Sequence, residues 1–186
     1  NNGFDYSPSG NASLFTFSND NTQQWNAVSN TDTNTLTAGD AYRLMVRGDR
    51  SIDVTDNATT PTDTKLRSTG SVVRGPLTVN PALTTSGEVA MVGNPFQSIV
   101  DMETVLNTST NLQQSFVVWD PTLGGTPTPG VPGGRGAFVT VDVTTNTSNN
   151  ASSQMNKYLQ PYQAAFVIAT GSSPSLTFEE SDKAVN

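Results

Sequence analysis

Short runs of β-branched and aromatic residues alternate along the chain with clusters of Thr, Asn, Gly, Ser and Pro, and this punctuation predicts strands separated by tight connections. The runs are SLFTF (13–17), YRLMV (42–46), SIDV (51–54), SVVRGPLTV (71–79), EVAMV (88–92), SFVVW (115–119), AFVTVDV (137–143), AAFVIA (164–169) and SLTF (175–178). In AFVTVDV the period of two puts Val139, Val141 and Val143 on one face and Phe138, Thr140 and Asp142 on the other. Such a strand covers a core on one side and meets water on the other. The pattern predicts an all-β fold, an antiparallel β-sandwich of roughly nine to eleven strands with the jelly roll as one form of it.

One segment breaks the period. After Gly93-Asn94-Pro95-Phe96, the residues Ile99, Met102, Val105 and Leu106 recur at helical spacing, and Ser98 with Asp101 has the spacing of a capping box. A short helix covering an open end of the sheet is expected there. The Pro- and Gly-rich stretch 121–136 predicts a projecting loop, and the polar stretches 29–40 and 144–154 predict surface connections.

With 186 residues, 34% of them hydrophobic, the chain suits one core, and a single domain over 1–186 is expected. Its first residues, NNGFDYSPSGN, include no methionine, and the expectation is a fragment of a larger protein. Sixteen acidic against nine basic residues leave a net charge of -7, which disfavours a nucleic-acid groove or an anionic membrane surface as partner. The longest apolar run is the six residues of AAFVIA, too short to insert in a membrane as a helix. Cysteine and histidine are both absent. Disulfides, thiolate zinc sites and the Ser-His-Asp triad are therefore excluded. Glu88, Asp101, Glu103, Glu179 and Glu180 are the carboxylates from which a glycosidase pair would be drawn, but no spacing sets two of them across a cleft. The expectation is that the chain is not an enzyme.

Candidate binding residues fall into three sets. Arg47, Gly48 and Asp49 spell RGD, an adhesion tripeptide, but Gly and Asp are also turn residues, and a hairpin turn between YRLMV and SIDV is the expected role. Asp20 in SNDN, and Asp53 with Asp56 in DVTDN, are oxygen donors for a structural calcium, although neither stretch has the EF-hand register. No other cofactor is expected. Trp25, Tyr42, Trp119, Tyr158 and Tyr162 supply apolar faces for sugar rings. The competing role for Trp25 and Trp119 is to anchor the core at strand ends, and exposure separates the two.

The order AGDAYRLMVRGDRSI, STGSVVRGPL, VGNPF, WD, LQPYQAAFVIA and SLTFEESDK resembles a module of large secreted and surface proteins of the Bacteroidetes. There it sits near the C-terminus, often just ahead of the sorting domain read by the type IX secretion system. The family's G-N-P-Y signature is matched by Gly93, Asn94, Pro95 and Phe96. Its P-G-Q-G-F-F-V signature is matched by Pro161, Gln163, Phe166 and Val167, with Tyr162 and Ala164 at the two glycine positions. The resemblance implies a secreted, non-catalytic β-sandwich module with a structural or adhesive role on the bacterial surface, partnered by neighbouring domains, a surface glycan or another protein. The alternative from the residues is a carbohydrate-binding module assisted by calcium.

Overall fold

A computed structural model describes residues 12–30, 33–46, 48–49, 51–53, 56, 59–60, 62–63, 65, 69–124 and 136–184. In chain order the strands are β1 (Leu14–Phe17), β2 (Trp25–Ala27), β3 (Tyr42–Leu44), β4 (Leu77–Val79), β5 (Val89–Gly93) and β6 (Val100–Asp101). After the helix α1 (Met102–Asn107) come β7 (Leu112–Asp120), β8 (Ala137–Asp142), β9 (Thr147–Ser148), β10 (Tyr158–Leu159), β11 (Ala164–Ala169), β12 (Leu176–Phe178) and a 3-10 turn at Glu180–Asp182. The largest sheet has the order β5-β11-β7-β8-β9, and smaller ones are β2-β1-β3, β10-β6 and β12-β4. Every pair of strands in them is antiparallel. The chain is thus a mostly antiparallel β domain with a single short α-helix among the described residues.

Alternation along the strands builds the core. Ala90 and Val92, Ala165 and Val167, Phe116 and Val118, and Val139 and Val141 all turn to the inner face of the five-stranded sheet and are buried. Met102, Val105 and Leu106 of α1 join Leu176 and Phe178 of β12 in the same cluster, with Phe96, Val100 and Leu159 between them. Burial of each such side chain contributes roughly 1.5–3 kcal/mol before chain entropy is subtracted. The faces expected for AFVTVDV are the faces observed.

The helix is shorter and later than its spacing predicts. Asp101, not Ser98, is the N-cap; its carboxylate accepts from Glu103 N–H at 2.9 Å, and Ile99 precedes the helix. SIDV is not a strand over its described residues: Ile52 N–H donates to the Asp49 carbonyl at 3.2 Å, closing a turn, and Val54 lies outside the described residues. SVVRGPLTV shrinks to β4, because Gly75 at φ 75° and Pro76, which has no N–H, interrupt a ladder upstream of Leu77. The strands β2, β6, β9 and β10, each two or three residues long, are too short for alternation to reveal. Most of the predicted projecting loop, residues 125–135, lies outside the described residues.

Candidate functional site: an aromatic seam on the outer sheet face

Since Phe116, Val118 and Asp120 face inward, Val117 and Trp119 must face outward, and pairing sets Phe138 opposite Trp119 on the same side. Their rings meet edge to face at 4.9 Å. Phe138 also meets Phe166 of β11 at 5.9 Å, leaning across the β7 strand that separates them. Phe166 in turn contacts Phe17 at 5.1 Å and Trp25 at 6.1 Å, and these last two contact each other at 5.2 Å. Arg43 lies over the Trp25 ring, 5.4 Å from its centroid. The result is a continuous seam that ties the β2-β1-β3 sheet to the outer face of the five-stranded sheet.

One end of the seam is open. Trp119 is 43% exposed and Phe138 55%, whereas Trp25, Phe17 and Phe166 are half-buried. Of the two roles open to Trp25 and Trp119, core anchoring does not hold: both lie outside the core cluster, and Trp119 faces solvent. Gly136 shapes this end, because a Cβ there would lie 2.5 Å from the indole of Trp119 and φ is 84°. Phe17, Phe138 and Phe166 were not among the sequence candidates. The period of two around Val139 and Val141 already put Phe138 outside; nothing local to the sequence joins it to Phe166 or Phe17.

The tyrosines are not part of the seam. Tyr42 uses its hydroxyl to accept from Thr37 N–H at 3.0 Å. Tyr158 lies beside the Lys157 ammonium, 5.4 Å from its ring centroid. Tyr162 is 67% exposed and holds φ at 64° in the turn closed by Gln163 N–H donating to the Gln160 carbonyl at 3.1 Å. With Pro161 ahead of it, this is the third position of a type II turn, where glycine is preferred. Tyrosine thus occupies the backbone shape that the resemblance associates with glycine.

The two signatures meet in space. Asn94 N–H donates to the Gln163 carbonyl at 3.0 Å, while the Asn94 amide donates to the carbonyls of Ser98 and Leu159, each at 2.9 Å, and accepts from Phe96 N–H at 2.9 Å. Gln163 Oε1 accepts from Gln160 N–H at 2.9 Å. Pro95 and Phe96 are buried. Gly93 ends β5 where a Cβ would lie 2.6 Å from the Asp40 carbonyl oxygen. This cluster is architectural.

Most of the well-placed carboxylates close turns. Asp20, Asp49, Asp120 and Asp142 each accept from both the backbone N–H and the hydroxyl of a Thr or Ser two residues on. Asp120 is buried, and its second oxygen accepts from Ser153 Oγ at 2.5 Å. These bonds favour the ionised form, so the hydroxyls of Ser153 and Thr122 hold Asp120 below the usual carboxylate range, as the Thr144 hydroxyl does Asp142 and the Thr22 hydroxyl does Asp20. In the RGD stretch Gly48 has φ 88° and Asp49 N–H donates to Thr62 Oγ1 at 2.7 Å, a turn but not a hairpin; Arg47 lies outside the described residues. Asp101 and Glu103 converge on Lys157 at 3.0 and 2.5 Å and raise its pKa, Glu103 contributing most. Asp20, Asp53 and Asp56 are not brought together, since the described residues hold no group of three or more acidic or metal-binding side chains. No helix of the described residues is long and apolar enough to cross a membrane.

Comparison of the chain with protein-family models, curated proteins and solved structures finds no match. The functional reading rests on the seam.

Proposed function

We propose that the chain is a non-catalytic structural and adhesive module of a secreted or cell-surface bacterial protein. In this reading it is an antiparallel β-sandwich, jelly-roll-like in outline, with β12-β4, α1 and β6-β10 as the layer opposite the five-stranded sheet. The observation that carries the reading is the open end of the aromatic seam. Trp119 and Phe138 are large apolar groups that the core does not use, held in place by cross-strand pairing. Rigid aromatic anchors at a surface are what a contact with a neighbouring domain or surface ligand employs. The engagement of the carboxylates in turns and ion pairs argues against acid-base chemistry. The resemblance to modules exported by the type IX system supports the surface location.

A second reading, a carbohydrate-binding module assisted by calcium, is favoured by the exposed indole of Trp119. The rings cross at 68–84° and therefore do not form a coplanar strip for a flat polysaccharide. A single pyranose stacked on Trp119 fits better. A glycan array run with calcium and with chelator, on wild type and on Trp119→Ala, separates the readings. Saturable binding lost in the variant supports the lectin-like one; silence from folded protein supports the structural one.

A further inference from the structure

Polar groups border the open end of the seam on the side away from β11. Just past β9, Asn149 lies opposite Thr140 of β8: its N–H donates to the Thr140 carbonyl at 2.9 Å, and its side-chain Oδ1 accepts from Thr140 N–H at 3.0 Å. The side-chain oxygen thus stands in for a strand carbonyl, which fixes the amide and with it the direction of Nδ2. Among the described residues, no group accepts from that Nδ2 and none pairs with the Thr140 hydroxyl. Both side chains belong to the outer face. Thr140 pairs with Val117 two positions along β8 from Phe138, and the β8-β9 register of Asp142 with Thr147 and Val141 with Ser148 continues to Thr140 with Asn149. Beyond Asn149 the chain turns, Ser153 N–H donating to the Asn150 carbonyl at 2.9 Å, and Ser153 Oγ donates to the buried Asp120. The segment is tied at both ends, so the polar rim is held beside the rings.

We propose that this face binds a neutral oligosaccharide, with one pyranose stacked on Trp119 and its neighbour hydrogen-bonded by Thr140 Oγ1 and Asn149 Nδ2. The inference rests on the carbohydrate reading above and adds to it the polar half of the site and the class of sugar. Strands of a sheet lie about 4.8 Å apart, so Thr140 stands one row from the row of Trp119 and Asn149 two. A ring on the indole spans the first interval, and the ring joined to it meets the second. Phe138 leans the other way, toward Phe166 of β11, and Thr140 stays half-exposed and Asn149 exposed. A hydroxyl and an amide match sugar hydroxyls as donors and acceptors. The preference for a neutral sugar comes from Asp142, the next outward residue of β8 after Thr140; its exposed carboxylate, in a chain of net charge -7, repels a uronic or sialic acid. Neither hydrogen bond runs through a metal, so binding should survive chelator.

The test is an NMR titration of the isotope-labelled chain with neutral disaccharides, cellobiose, lactose, maltose and mannobiose among them, and with digalacturonate as the anionic control. Saturable shifts are expected at the Trp119 indole N–H and the Asn149 side-chain amide with a neutral sugar, unchanged by chelator, and none with digalacturonate. Trp119→Ala should abolish binding. Thr140→Val keeps the Thr140 N–H and so the tie to Asn149, while Asn149→Ala keeps the backbone bond to the Thr140 carbonyl. Each should weaken binding roughly three- to tenfold, the contribution of one hydrogen bond. Binding lost in Trp119→Ala but unchanged in both rim variants overturns the inference and leaves the carbohydrate reading standing, as does binding that needs calcium or prefers the anionic sugar. Folded protein that shifts with no sugar overturns both.

Discussion

Phe166 is the hub of the seam, and its removal tests whether the seam is a structural weld. Phe166→Ala deletes three edge contacts, to Phe17, Trp25 and Phe138, and the burial of a half-exposed ring. Half of a phenylalanine's burial contributes about 1 kcal/mol, and each aromatic contact adds about 0.5–1.5 kcal/mol beyond area. Allowing for overlap between these terms, the expected loss is about 3 kcal/mol, or roughly 6–12 °C in Tm for a chain of this size. Trp119→Ala removes one ring contact from a side chain already 43% exposed, and about 1 kcal/mol is expected. Chemical denaturation followed by fluorescence is the assay, with Phe166→Ala made in a Trp119→Phe background so that Trp25 alone reports there, as it does in Trp119→Ala. Docking of the N-terminal sheet then has its own probe. A loss below about 1 kcal/mol for Phe166→Ala, or an equal loss for Trp119→Ala, refutes the weld.

Four further outcomes are expected. Gly93→Ala places a Cβ against the Asp40 carbonyl and should cost about 1–3 kcal/mol in a denaturant titration, without an effect on glycan binding. Tyr162→Gly relieves a left-handed φ at an exposed turn and should leave stability unchanged or raise it by up to about 1 kcal/mol; a loss of stability means that the Tyr162 ring packs more than its exposure indicates. Stability should depend on pH at the extremes only. With no histidine, Tm should be flat from about pH 5 to 8. The carboxylates of Asp20, Glu88, Asp120 and Asp142 are held below their ordinary range by hydrogen bonds, so their contribution is complete above the unfolded value near about 4 and is lost as pH falls through the folded values. Lys157 has the opposite sign: its raised pKa adds stability below about 10.4 that is lost at higher pH, and Glu103→Gln should weaken that alkaline limb.

Much of the β pattern was legible because alternation is a local property. AAFVIA is β11 to the residue, and AFVTVDV shows the predicted faces. What was not legible depends on partners far along the chain. The two-residue ladder β6-β10 forms because Asn94 and Met102 are tied to Leu159 and Lys157 across more than fifty positions. The spacing makes Asp101 the second residue of a capping box begun at Ser98 and Glu103 a loose carboxylate; Asp101 as the N-cap itself, and the two as the clamp on Lys157, are not legible there, because the lysine that pairs them belongs to the partner segment.

The tryptophans show how a correct rule left the site undecided. In SFVVWD, Phe116, Val117, Val118 and Trp119 are all apolar, so nothing in those four residues marks which face is inside. Ser115 and Asp120 are the polar markers of the stretch and fall on opposite faces; Ser115 shares the face of Trp119, but the charged Asp120, the stronger marker, points the wrong way. The usual cost of burying a carboxylate sets Asp outside, and period two then places Trp119 in the core. The structure reverses this because Asp120 is saturated by Thr122 N–H, Thr122 Oγ1 and Ser153 Oγ, which offset its desolvation. The buried Asp120 thereby fixes the register that turns Trp119 outward. Asp120→Ala removes that constraint and leaves Ser153 and Thr122 without their shared acceptor. Its expected signature is loosened β7-β8 pairing, seen as faster amide exchange at Trp119 and Phe138, with β5-β11 exchange unchanged. Unchanged exchange at the β7-β8 end sinks the argument that a satisfied aspartate, rather than the four apolar residues before it, sets the face of the seam.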